Sequence, residues 1–148
     1  MEKSTSATCV AILFCALILN AQAKPNFSGK WVSIGPADAP IGLQQIITQD
    51  ATTLTVGHAS EGGGHKVVYR LDGREHPSTM ADIHSVARAW WNKDKLEIHR
   101  VDNYPDGRVR QNKQVWSLEP NGNLVIESTD GLVGETPTER RTIYKKGQ

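Results

Sequence analysis

From residue 24 onward the chain never sustains an apolar repeat of 3.6 residues, and this argues against a helical architecture. Short runs rich in Val, Ile, Thr, Tyr and Trp recur instead, separated by Gly, Asp, Asn and Pro. That alternation of β-formers with turn residues specifies strands. Strands are expected over 28–34, 42–49, 52–58, 65–71, 83–91, 95–102, 108–118, 123–129 and 138–145. Tight hairpins are expected from Gln49 to Thr52, from Asn92 to Lys95 and at Pro120-Asn121-Gly122-Asn123. The last is the best of the three, because Asn-Gly tolerates positive φ at both central positions. No link has room for a crossover helix, so the strands follow one another as an antiparallel meander.

Nine strands raise a parity problem, since an antiparallel meander closes on itself only with an even number. Either Glu75 to Met80 supplies a tenth strand, one of the nine is false, or the sheet stays open. Pro77 makes any strand there brief or edge-like. Closure is favoured because it removes exposed edges that invite aggregation. The expected fold is all-β: an antiparallel up-and-down barrel of eight to ten strands.

The first 23 residues read as a secretory signal. Lys3 precedes an apolar run from Ala7 to Leu19, and Ala21-Gln22-Ala23 places small residues at the −3 and −1 positions of a cut following Ala23. The run is too short to span a bilayer, so no stable membrane insertion is expected. Cys9 and Cys15 both fall within the removed segment. Residues 24–148 then form one domain without a disulfide, a thiol nucleophile or a cysteine metal ligand. The expected location is the periplasm or the extracellular medium. A formal net charge of +1 with interspersed signs offers no basic stripe for a phosphate backbone, which argues against nucleic acid.

Alternation assigns inward positions. Across the Asn92–Lys95 turn, Trp91 should face Leu96, with Ala89 and Ala87 beside Ile98 and Arg100. Trp90 then faces the other way, next to Glu97. Trp116 shares a face with Leu118, and Leu124 with Ile126.

Asn26-Phe27-Ser28-Gly29-Lys30-Trp31 resembles the Gly-x-Trp opening of the calycin group, meaning lipocalins, fatty-acid-binding proteins and avidins. Tyr69-Arg70-Leu71-Asp72-Gly73, Ala87-Arg88, Lys95-Leu96, Trp116-Ser117-Leu118-Glu119-Pro120-Asn121-Gly122 and Tyr144-Lys145-Lys146 are similar, in that order, to small exported bacterial lipocalin-like proteins of mostly unassigned role. The resemblance covers nearly all of residues 26–146. It implies a lipocalin-like barrel in which Gly29 and Trp31 plug one end, with Arg140 or Arg141 across the indole in a cation–π contact. Alternation allows only one of the two arginines that place. The group's catalytic members and its biotin site have no matching pattern here.

His58 and His65 flank Glu61-Gly62-Gly63-Gly64 and could meet across that loop, with Glu61 as a third ligand. No helical His-Glu-x-x-His spacing exists, however, and exposed or singly hydrogen-bonded histidines are the expectation. No nucleophile elbow or forced carboxylate pair marks an enzyme. No cofactor, metal or catalytic residue is assigned. The expected function is non-catalytic binding of a small hydrophobic or amphipathic molecule, with Trp91, Leu96, Ile98, Arg100 and Trp116 lining the barrel. A monomer is favoured. The alternative is an envelope or inhibitor-type protein-interaction module with a filled barrel. Lys24-Pro25-Asn26 would be its extended arm, although a frayed terminus is the simpler expectation for those residues.

Overall fold

A computed structural model describes residues 23–35, 42–58 and 65–148. The apolar run from Ala7 to Leu19, with Cys9 and Cys15, lies outside the described residues, as does the Glu61 to Gly64 segment. Among the described residues ten strands follow in chain order: β1 (Gly29–Gly35), β2 (Gln44–Gln49), β3 (Thr53–His58), β4 (His65–Arg70), β5 (Glu75–Met80), β6 (Ile83–Asn92), β7 (Lys95–Asn103), β8 (Val109–Leu118), β9 (Leu124–Leu132) and β10 (Thr138–Lys146). All pairings are antiparallel, in the order β4-β3-β2-β1-β10-β9-β8-β7-β6-β5.

Glu75–Met80 is therefore the tenth strand, which settles the parity question. Ten strands do not produce full closure, though. β4 and β5 terminate the two sides of the sheet without a hydrogen-bonded ladder between them, and β4 instead packs near β6. The barrel is nearly closed. Pro77, which has no N–H for a second ladder, is tolerated because β5 is an edge. Gly73 N donates to Ala89 O at 3.0 Å, and Arg88 Nε donates to Gly73 O at 2.6 Å, tying the β4–β5 corner to β6.

The hairpin chemistry differs from expectation at one point. Gly122 alone has positive φ (85°) in the Pro120-Asn121-Gly122 turn. Gly122 N donates to Glu119 O, and Glu119 N donates to Asn123 O, both at 2.9 Å. Pro120 fixes its own φ near −65°, so the turn is a longer loop with glycine in the left-handed position. Tyr104 to Arg108 repeats this wiring, with Gly107 at φ 84°. The two-residue turn with positive φ at both positions occurs at Ala81 (47°) and Asp82 (65°) instead.

Register across β6 and β7 is as alternation requires. Trp91 faces Leu96, Ala89 faces Ile98, Ala87 faces Arg100 and Trp90 faces Glu97. The core gathers at the end of the barrel where the β2–β3, β6–β7 and β8–β9 hairpins turn. Phe27, Leu54, Leu96, Ile98 and Leu124 are fully buried there, and Trp31 is 2% exposed. Trp31 Nε1 donates to Phe27 O at 2.8 Å, so the indole keeps its hydrogen bond while buried.

Two expectations about this end need correction. Neither Arg140 nor Arg141 covers Trp31. The cation over the ring is Lys146, whose Nζ lies 5.7 Å from the centroid. Alternation sends Arg141 outward to Glu119 (2.9 Å) and Glu127 (3.8 Å), while Arg140 points inward but farther along the strand. Gly29 makes the lysine's approach possible: its φ is 144°, and a Cβ there would stand 3.0 Å from Lys146 Cε. The segment before β1 is neither an arm nor frayed. Gln49 Nε2 donates to Pro25 O at 3.0 Å and Gln49 Oε1 accepts from Phe27 N at 2.9 Å. Lys24 Nζ sits 5.6 Å from the Trp91 ring, and Phe27 stacks on Trp91 at 5.9 Å. Phe27 leads the stretch because burying an aromatic ring outweighs the entropy of the few residues it orders.

Candidate ligand cavity

Above the apolar floor, the inward positions change character. On β8 the sequence runs from Trp116 to Gln114, Asn112 and Arg110, and on β9 from Ile126 to Ser128 and Asp130. On β10 it runs from Tyr144 to Thr142, Arg140 and Thr138, and on β2 from Ile47 to Gln45. Polar side chains at consecutive inward positions do not interdigitate as a dry core does. They surround a cavity of about 330 Å³. Val56, Val67, Trp116 and Ile126 provide its apolar wall, and His58 on β3 joins the polar lining. This volume is at the small end of the range for small-molecule sites.

One wall satisfies itself. Trp116 Nε1 donates to Gln114 Oε1 at 2.7 Å, and Gln114 Nε2 donates to Asn112 Oδ1 at 2.8 Å. Asn112 in turn donates to Asp130, which is gripped by Arg110 through both guanidinium arms. The Arg110 hydrogen bond holds the Asp130 carboxyl below the usual carboxylate range, against the opposing effect of burial. The opposite wall is less complete. Gln45 Nε2 donates to the Tyr144 hydroxyl at 3.1 Å, but Gln45 Oε1 is sealed from solvent with no donor among the described residues. Burial raises the Tyr144 phenol above its ordinary value, and nearby Arg140 partly offsets that. Arg140 makes no ion pair among the described residues, though its charge helps hold Asp130 low from across the lining.

Of the five residues expected to line the barrel, Trp116 lines this cavity. Leu96 and Ile98 are in the packed floor, and Trp91 packs against it. Shape explains the difference: the β6–β7 hairpin end where they sit is filled by Phe27 and Trp31, side chains the alternation argument did not place there. Arg100 binds Asp102 (Nε to Oδ1, 2.6 Å) and the Ser85 hydroxyl (3.1 Å), while Ser85 donates to Asp102 Oδ1 at 2.5 Å. Tyr69 meets the same guanidinium, and its phenol is raised by burial, a shift that Arg100 partly counters. This inner network lies beside the unpaired β4 and β5 edges and holds the arginine in place. Arg88, on the outer face, covers Trp90 at 4.8 Å, and Trp90 meets His99 edge-on at 4.6 Å.

His58 and His65 are cross-strand partners, as the sequence suggested. Burial, then the His65 charge, lowers the His58 imidazole. Among the described residues no three His, Cys, Asp or Glu side chains could hold a metal together. Among them, too, no helix is long and apolar enough to cross a membrane. Gln45, Asn112, Gln114, Ser128 and Thr142 were missed from sequence. Their signal was polarity at alternate positions in the far half of each long strand, legible only once inward and outward faces are known.

No family model matches the sequence, and neither does any curated protein. Solved structures share the fold. An SAHS protein of Ramazzottius varieornatus matches with a TM-score of 0.55 at 12% identity, over 82% of this chain and 95% of that one. Human cRBP IV matches with a TM-score of 0.53 at 12% identity, over 83% of this chain and 99% of that one. Secretory abundant heat soluble protein 4 of Ramazzottius varieornatus matches with a TM-score of 0.53 at 15% identity, over 82% and 94%. At such identities the likeness concerns fold alone, and the fold is a lipocalin-like barrel.

Proposed function

We propose that this protein is a non-catalytic carrier that holds one small amphipathic molecule inside its barrel. The observation that supports this reading is the cavity of about 330 Å³ seated on a fully packed floor. A barrel kept only for rigidity would gain by packing apolar side chains there, as it does in the floor. The lining shifts the expected ligand from hydrophobic towards amphipathic: Trp116, Ile126, Val56 and Val67 suit an apolar body, whereas Gln45, Thr142, Tyr144 and Arg140 suit a polar group. Fold neighbours that include human cRBP IV, a binding protein by its name, add support at the level of fold only. The same reading has residues 1–23 removed as a signal and the carrier working outside the cytoplasm.

Native mass spectrometry of protein purified from its own host tests the proposal. Recovery of a stoichiometric small molecule supports a carrier. Repeated recovery of the bare chain, together with no mass shift on exposure to an extract of the host's small molecules, refutes it.

A further inference from the structure

Arg100, Arg110 and Arg140 all occupy inward positions, and the first two are engaged. Arg100 is bound to Asp102 and to the Ser85 hydroxyl, and both arms of Arg110 go to Asp130. Arg140 lies in the cavity lining and makes no ion pair among the described residues. Asp130 is the only acid of that lining. The Arg140 charge acts on it, but this carboxylate is already gripped by Arg110 and also accepts from Asn112. Two guanidinium groups thus attend a single carboxylate, and this part of the cavity keeps an unmatched positive charge.

Position gives that charge a direction. Along β10 exposure falls from Arg140, which is open to solvent, through Thr142 at 9% to Tyr144 at 6%. Arg140 therefore stands towards the open end, about 13 Å from Tyr144 by the rise of a strand. The apolar wall begins one inward position deeper, since Ile126 and Trp116 are level with Thr142. A ligand that turned a charged end to the floor would meet these groups, where the lining holds no cation.

We infer that the molecule carried is a monoanionic amphiphile, bound with its head at Arg140 and its apolar tail directed towards Trp116. The inference rests on the carrier reading above. A carboxylate is the simplest such head, because its paired oxygens match the guanidinium fork. A neutral alcohol leaves the charge unmatched, and a quaternary ammonium is repelled by it. Arg140 is thus a specificity-determining residue, and its exposure leaves it within reach of an arriving ligand.

The test titrates decanoate, 1-decanol and decyltrimethylammonium into the purified protein and follows intrinsic tryptophan fluorescence. Decanoate should bind at least about ten-fold more tightly than either of the others, the scale of a hydrogen bond to a charged group. Its advantage over the alcohol should shrink as salt rises, because the guanidinium is exposed. In Arg140→Gln, decanoate and 1-decanol should bind within about three-fold of each other, with the alcohol bound as in the unmodified protein. Arg140→Lys should restore part of the preference. Orientation is read with ω-bromodecanoate and α-bromodecanoate: the terminal bromine should quench the tryptophans at the floor, Trp31, Trp91 and Trp116, more strongly. Circular dichroism establishes that the variants fold; should they fail to fold, the salt dependence and the bromine comparison in the unmodified protein still decide. Equal binding of decanoate and 1-decanol, a preference for the ammonium, a decanoate preference that survives Arg140→Gln, stronger quenching by α-bromodecanoate, or a host molecule without negative charge overturns the inference and leaves the carrier standing. Failure of all three probes to bind, together with a bare chain from the host, overturns both.

Discussion

The two ends of this barrel are made by the same ten strands and treat their inward positions in opposite ways. At the end bearing the β2–β3, β6–β7 and β8–β9 turns, Phe27, Trp31, Leu54, Leu96 and Leu124 fill the interior, and a short segment ahead of β1 is drawn across it. At the other end, Gln45, Asn112, Gln114, Thr142 and Arg140 occupy equivalent inward positions and leave a cavity. Strand pairing runs through both ends, so the backbone does not make the distinction. Side-chain chemistry does: apolar groups gain by excluding water, whereas polar groups gain little by meeting one another unless their hydrogen bonds are complete. The buried apolar side chains are concentrated in one half, and the other is lined by polar groups.

Substitutions at the two ends should therefore differ sharply. Trp31→Ala should cost about 3–5 kcal/mol in urea unfolding, as for other buried aromatics; a loss below about 1 kcal/mol would show that the floor does not hold the fold. Asp102→Ala tests whether the hollow half has structural parts of its own. It strands the Arg100 guanidinium and should cost about 2–3 kcal/mol, less than a fully sealed pair because both side chains retain some exposure. An unchanged denaturant midpoint would assign that network to binding rather than to folding.

Gly29→Ala should cost about 1–3 kcal/mol, through the positive φ and the crowding of Lys146. If the lysine simply moves aside and the backbone tolerates the change, the melting temperature will not fall. Acid should act more gently. Burial first, with His65 at His58 and Lys113 at His99, lowers both imidazoles below the ordinary histidine value. The unfolded chain then takes up more protons than the folded one below about pH 6.5, so stability is complete above that pH and declines as pH falls through the lowered values. Melting curves from neutral pH to pH 5 would show this slope, and a slope unaltered in the doubly substituted His58→Gln, His99→Gln protein would assign it to other groups. Smallest of all, Ser128→Ala on the cavity wall should change stability by less than about 0.5 kcal/mol. A larger loss there would erase the contrast between the two halves.

Much of the fold was legible from particular residues. The β6–β7 register followed from alternation about Asn92–Lys95, since a period of two leaves only one face for Trp91, Ala89 and Ala87. Glu75–Met80 was recognisable as a strand only through parity, because Pro77 and the exposed Glu75, Ser78, Thr79 and Met80 give it no buried face to announce it. The site was far less legible. Trp91, Leu96 and Ile98 satisfied every local criterion for a barrel lining, but Phe27 fills the space before them, and Phe27 precedes the first strand.

Local chemistry acts over a few residues, so the sequence by itself determined nine of the ten strands, their chain order and, about the Asn92–Lys95 turn, which side chains share a face. Lys146 over Trp31, the open seam between β4 and β5, the packed floor and the unpaired Gln45 oxygen are meetings of residues far apart in the chain. Only the tertiary structure decided those, because the space left inside a barrel depends on the summed volumes of side chains from all its strands, and no single segment records that sum.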